Sequence, residues 1–149
     1  MLKTINIGNK KVAIETLETY KEKKSGSDDI RIQNSHITEL NKVLNKKVFK
    51  KNALFISSQT LWEIMQPIGG KGKHNYHGLT PDKVYDAIAT LRFSTDVTLS
   101  YDDRYLIVTL ATVFDDINIA IVITPKGTKK NNPENYINKI ITIYPYKKK

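Results

Sequence analysis

The pattern of apolar and polar positions is clearest from residue 53 onward, where it predicts a strand, two helices and a run of strands. Residues 53–56 form the first strand, and Ser57 or Ser58 caps a helix that stops before Pro67. A second helix opens at Thr80-Pro81-Asp82, with threonine at the N-cap, proline at the first helical position and an acid in the first turn. Alternation then predicts strands at 96–101, 104–112, 117–124 and 136–144.

Short connections between these strands predict antiparallel pairing. Helices followed by consecutive strands are typical of an α+β domain. We therefore expect an antiparallel sheet of about four or five strands, with the helices preceding it and packed on one face.

The first 52 residues have a weaker pattern. Residues 3–7 alternate like a strand, and Gly8-Asn9 indicates a turn. Residues 12–24 fit either a strand or a helix, with a helix favoured over 15–23, and 24–29 are rich in turn-forming residues. Ser35 can cap a further helix, whose polar side carries several lysines. The sequence therefore indicates a strand plus helix here, with no assigned role.

Composition excludes several classes of protein. The chain of 149 residues has no cysteine, so disulfide frameworks, thiol nucleophiles and thiolate metal sites are excluded. The longest apolar run, at 119–123, is far shorter than the roughly 20 residues of a membrane-spanning helix. Residues 1–6 do not lead into the apolar core of a signal peptide. We expect a cytoplasmic protein that does not contact membranes, with delivery into another cell left open.

The charge favours a polyanionic partner. The formal net charge is +9, and a basic surface attracts nucleic-acid phosphate. An AT-rich genome is an alternative explanation, because lysine, isoleucine and asparagine make up 52 of the 149 residues. Charge alone therefore leaves nucleic-acid binding as one interpretation of two.

The loop between the two predicted helices carries most of the candidate chemistry. Residues 69–78 hold two of the three histidines, two lysines and four glycines. Such a loop can grip a phosphodiester, with Lys71 and Lys73 as substrate-binding residues. His74 or His77 can move a proton near neutral pH. The alternative is that the loop is only a flexible basic connection between the helices. No acidic residue near the two histidines completes a metal site, so we expect no metal or cofactor.

Three further side chains are candidates. Alternation in the last strand places Thr142 and Tyr144 on one face, together with Ile140. The high β-propensity of threonine and tyrosine explains them equally well. Arg104 begins a long strand, where a solvated arginine is the ordinary interpretation.

The second half of the chain resembles a known superfamily through an ordered set of short motifs. The motifs are Lys73-His74, the run from His77 through Gly-Leu-Thr-Pro-Asp-Lys-Val-Tyr-Asp-Ala-Ile, the Asp-Arg-Tyr-Leu that contains Arg104, and Lys139-Ile-Ile-Thr-Ile-Tyr-Pro145. This order resembles the phage- and mobile-element-associated nucleases of the barnase–EndoU–colicin–RelE superfamily. The resemblance covers residues 53–149 and implies a nuclease domain with a twisted antiparallel sheet. Residues 1–52 are then an N-terminal extension: a delivery remnant, a regulatory cover or an added edge of the sheet.

The resemblance implies a metal-independent endoribonuclease, and many members of the superfamily are toxins. The RNA 2′-hydroxyl would attack the phosphate and leave a 2′,3′-cyclic phosphate. His74 would transfer the proton with His77 as its partner, Lys73 and Arg104 would neutralise charge, and Thr142 or Tyr144 would hydrogen-bond a non-bridging oxygen. A toxin acting on cellular RNA would also need an antitoxin or immunity protein.

Two other functions stay open on sequence grounds. The chain could be a non-catalytic module that binds nucleic acid or protein on the same fold, with affinity that falls steeply with salt. It could also be a structural or interaction protein of a phage or mobile element, which would bind neither RNA nor DNA. The oligomeric state is not indicated by the sequence.

Overall fold

A computed structural model of the chain describes residues 4–24, 26, 28–33, 53–69, 75–91, 98–101, 105–114, 116–122 and 138–146. The helix predicted after Ser35 lies outside these residues. No helix among the described residues is long and apolar enough to cross a membrane.

Three helices are described, namely α1 (Lys10–Glu22), α2 (Ser58–Ile64) and α3 (Pro81–Leu91). Each helix has an N-cap residue, whose side-chain oxygen accepts a hydrogen bond from a backbone N–H of the first turn. The cap residues are Asn9 for α1, Ser57 for α2 and Thr80 for α3. The predicted caps of α2 and α3 are therefore present. By contrast, α1 begins before the predicted residue 15, because Asn9 forms a cap where the sequence indicated only a turn.

Within the described residues, seven strands form one sheet: β1 (Thr4–Asn6), β2 (Asp29–Gln33), β3 (Leu54–Ser57), β4 (Thr98–Tyr101), β5 (Tyr105–Ala111), β6 (Asp116–Val122) and β7 (Asn138–Pro145). Their order across the sheet is β1-β2-β3-β7-β6-β5-β4. The final strand β7 is therefore central, between β3 and β6, although it is last in the chain.

The α+β class is confirmed, but the predicted sheet is wrong in two respects. It has seven described strands, where four or five were expected, and it is mixed rather than antiparallel. The pairs β1–β2 and β3–β7 are parallel, whereas β4, β5, β6 and β7 pair antiparallel in succession. Parallel pairs join segments that are distant in sequence, so local alternation does not reveal them.

A single cluster of buried apolar side chains joins the two halves of the chain. It includes Ile5 and Leu17 from the N-terminal segment together with Leu54, Val108 and Ile140. Helix α1 packs against α2 and α3, while α2 lies against β7 and α3 against β5. Residues 4–33 thus contribute a sheet edge and a helix to the shared core, and the division after residue 52 stays a prediction.

Candidate functional site

The backbone that leads out of the glycine-rich loop is fixed to the end of α2. The Gly78 N–H donates to the Gln66 carbonyl at 2.7 Å, and the Leu79 N–H donates to the Ile64 carbonyl at 3.0 Å. Gly78 has φ +64°, in the left-handed region that glycine adopts without a Cβ penalty. The buried Leu79 side chain adds an apolar anchor. These contacts hold His77, the residue before Gly78, in a defined position.

His77 meets two side chains of β7. Its Nε2 lies 3.2 Å from Thr142 Oγ1, and its ring centroid lies 5.7 Å from that of Tyr144, with the planes tilted by 39°. His77, Thr142 and Tyr144 are all partly buried. The fold therefore brings together three of the predicted site residues, although 65 positions separate His77 from Thr142.

A polar chain continues from Thr142 toward α2. The Thr142 hydroxyl donates to Asn75 Oδ1 at 2.5 Å, and Asn75 Nδ2 donates to Glu63 Oε2 at 3.2 Å. The other carboxylate oxygen, Oε1, accepts from Gln59 Nε2 at 2.8 Å, one helical turn earlier. We refer to Gln59, Glu63, Asn75, Thr142 and His77 as the polar relay.

The carboxylate of Glu63 sets the direction of every hydrogen bond in the polar relay. An ionised carboxylate only accepts, so the Asn75 amide must turn its NH₂ group toward Glu63 and its oxygen toward Thr142. The Thr142 hydroxyl then donates its only hydrogen to Asn75, so its oxygen can only accept a hydrogen bond from His77. In this arrangement neutral His77 donates from Nε2 to Thr142 Oγ1.

A bulge in β7 decides which side chains face His77. Thr142 pairs with Ala120 and Ile140 with Ile121, so Ile141 is an extra residue between them. Strict alternation would place Ile140 and Ile143 on opposite faces, yet both are fully buried. The sequence prediction that Ile140 shares a face with Thr142 ignored this bulge.

Two aromatic side chains flank the polar relay. The rings of Trp62 and Tyr76 meet edge to face, with centroids 5.7 Å apart and planes at 89°. The Lys24 ammonium lies 5.1 Å from the centroid of Trp62. We refer to Trp62 and Tyr76 as the aromatic pair. Tyr76 lies between Asn75 and His77 in the chain, so the aromatic pair adjoins the histidine in sequence.

Comparison of the chain with protein-family models, with curated proteins and with solved structures brought no match. The site is therefore interpreted from its own residues. Among the residues that the structure describes, no group of three or more His, Asp or Glu side chains could hold a metal ion.

Several predicted site residues lie outside the described residues. They are Lys71, Lys73, His74 and Arg104. Their roles stay predictions, and nothing in the geometry above depends on them.

Sequence reasoning missed Glu63 and Asn75 as members of the site. Asn75 lies inside the loop at 69–78, but an amide neither titrates nor acts as a nucleophile, so its residue type carries no catalytic signal. Glu63 lies four residues after Gln59 in α2, a spacing that places the two on one helix face. That spacing was the available signal, but only the fold shows that this face meets the loop.

Proposed function

We propose that the protein is an endoribonuclease that cleaves RNA by attack of the 2′-hydroxyl on the adjacent phosphate. What supports this most is the contact of His77 with Thr142 and Tyr144 in a protein of net charge +9. A positioned histidine beside hydroxyl groups suits proton transfer at a phosphodiester, and the basic charge suits its binding. The internal nucleophile makes a metal ion unnecessary for this reaction.

In the proposed mechanism, the His77 imidazole takes the proton of the 2′-hydroxyl while the 2′-oxygen bonds to phosphorus. The bond from phosphorus to the 5′-oxygen breaks, and that oxygen takes a proton from a second acid or from water. The resemblance implies His74 as the main proton-transfer group with His77 as its partner; the mechanism proposed here reverses these roles and leaves His74 as a candidate for the second acid. The products are a 2′,3′-cyclic phosphate and a 5′-hydroxyl, and DNA would bind without cleavage because it has no 2′-hydroxyl.

The polar relay gives Thr142 a different task from the one predicted from sequence. Its hydrogen is held by Asn75 and its oxygen accepts from His77, so in this arrangement it orients the imidazole. The neighbouring Tyr144 hydroxyl is then the better candidate for a hydrogen bond to a non-bridging phosphate oxygen. Thr142 is thus proposed as a positioning residue and His77 as the catalytic one.

The test is RNA cleavage in excess EDTA by the wild-type protein, His77→Ala and His36→Ala. Loss of a general base lowers the rate by about a hundredfold or more, so His77→Ala should lose activity while the His36→Ala control keeps it. Circular dichroism would verify that each variant is folded. Equal rates for wild type and His77→Ala would refute the role of His77, and RNA that is bound but left intact would favour the non-catalytic binding module.

A further inference from the structure

A second group of side chains beside His77 has no part in the proton-transfer chemistry. It consists of the aromatic pair of Trp62 and Tyr76, both partly exposed, and the exposed Lys24. Tyr76 directly precedes His77, and Trp62 directly precedes the relay residue Glu63.

The fold joins the segment that carries Lys24 to the end of α2. Gln66 Nε2 donates both to the Lys21 carbonyl at 3.0 Å and to the Trp62 carbonyl at 3.1 Å, which joins the end of α1 to the end of α2. Residues 21–24 carry three exposed lysines against one glutamate. The segment that supplies Lys24 to the ring of Trp62 therefore carries a net positive charge.

Partly exposed aromatic rings beside a lysine are suited to single-stranded nucleic acid. Bases stack on the rings and the ammonium groups contact the phosphates, with little dependence on sequence. A duplex offers only phosphates, because its base faces are already stacked. The aromatic pair thus favours a single strand over a duplex.

We propose that Tyr76 and Trp62 form a base-stacking subsite for single-stranded RNA, and that Lys24 contacts the phosphate next to the stacked base. The choice of RNA rests on the proposed function, whereas the stacking itself applies to any single strand. The subsite would deliver the neighbouring phosphodiester to His77. It also gives the end of α1, which lies outside the region of resemblance, a role in substrate binding.

Trp62 is the only tryptophan of the chain, so its fluorescence reports directly on the subsite. The probe is a 2′-O-methyl RNA single strand of about ten nucleotides, a typical length for such sites. It lacks the nucleophile and is not cleaved, so binding is measured without chemistry. We expect saturable quenching of Trp62 emission, with at least about tenfold weaker binding of the duplex of the same sequence.

Two substitutions separate stacking from charge. Tyr76→Ala should weaken binding of the single strand about 5- to 100-fold, the range found when a stacking ring is removed. Tyr76→Phe keeps the ring and should bind like the wild type. Lys24→Gln should lower the slope of log affinity against log salt concentration by about 0.7, the contribution of one phosphate contact to a single strand.

Matched controls are available at the start of α1 and after β5. Lys10 contacts the ring of Tyr85 at 5.9 Å, in the same type of cation–aromatic pair, but at the start of α1. Lys10→Gln should therefore leave the salt slope of binding unchanged. Phe114→Ala removes another exposed aromatic ring, and it should leave the affinity unchanged.

The outcomes separate this subsite from the ribonuclease activity. Binding that depends on Tyr76 without any cleavage of RNA would support the subsite and refute the proposed activity. Cleavage of RNA by a Tyr76→Ala protein that also binds the probe at wild-type affinity would do the reverse. The subsite proposal would be overturned if the probe bound without quenching the fluorescence of Trp62, or if single strand and duplex bound with equal affinity. Both results can be obtained with the wild-type protein, even if Tyr76→Ala does not fold.

Discussion

Replacing Thr142 with valine tests the polar relay, because valine keeps the shape of the side chain and removes only its hydroxyl. In the structure that hydroxyl bonds to both His77 and Asn75, so Thr142→Val leaves two partly buried polar groups without this partner. Each such loss costs about 1 kcal/mol, and we expect the free energy of unfolding to fall by about 2 kcal/mol. For a chain of this size the midpoint of thermal unfolding should fall by about 5 °C.

The assay is thermal and urea unfolding of Thr142→Val, Asn75→Ala and the double variant. Both single substitutions remove the same Thr142–Asn75 hydrogen bond, so the double variant should be about 1 kcal/mol more stable than the sum of their effects predicts. Thr142→Ser keeps the hydroxyl and should retain most of the stability. RNA cleavage by Thr142→Val should fall at least about tenfold, because the imidazole loses a positioning contact.

A matched control exists elsewhere in the sheet. Thr109 Oγ1 donates to Asn118 Oδ1 at 2.5 Å, a bond of the same kind and length between β5 and β6. Thr109→Val should lower stability similarly, combine additively with Asn75→Ala, and leave cleavage unchanged. Additivity of Thr142→Val with Asn75→Ala within about 0.5 kcal/mol would refute the polar relay.

Three further predictions concern the scaffold. Ser57→Ala removes the N-cap of α2 and should lower the free energy of unfolding by about 1 kcal/mol, measured by urea denaturation. Gly78→Ala places a Cβ at φ +64° and should lower the free energy of unfolding by about 1 to 2 kcal/mol through backbone strain. The nearest neighbour of that Cβ, Ile68, is at an ordinary contact distance of 3.6 Å, so no steric clash adds to this cost. Unchanged stability would contradict the left-handed conformation of Gly78. Burial, followed by the charge of Asp28, raises the pKa of Tyr20, so its stabilising contribution is complete below the unfolded-state pKa near 10 and is lost as the pH rises through the folded-state value. Denaturation at increasing alkaline pH should show this loss, and Tyr20→Phe should reduce it.

The elements that the sequence predicted well are those with local signals. The Thr80-Pro81-Asp82 start of α3 and the serine cap of α2 depend on side chains within one turn of the helix. Alternation in the second half likewise found the four strands β4 to β7. By contrast, the cap at Asn9 has no apolar periodicity next to it, because α1 opens with two lysines.

The candidate site likewise depends on contacts that have no local signal in the sequence. The sequence singled out His77, Thr142 and Tyr144 as separate hints, and only the central position of β7 in the sheet brings them into contact. The bulge at Ile141 is invisible in the alternation pattern, although it determines the face that Thr142 presents. Glu63 was missed because its part in the site depends on a hydrogen bond to a loop twelve residues away.

The most direct test of the central claim is the chemical identity of the product ends. RNA would be digested by the wild-type protein in excess EDTA beside the same RNA carrying 2′-O-methyl groups, and the products would be analysed by mass spectrometry. Attack by the 2′-hydroxyl predicts 2′,3′-cyclic phosphate and 5′-hydroxyl ends from the unmodified RNA, and no cleavage of the methylated strand. Cleavage of the methylated strand, or products that carry a 5′-phosphate, would contradict the proposed mechanism.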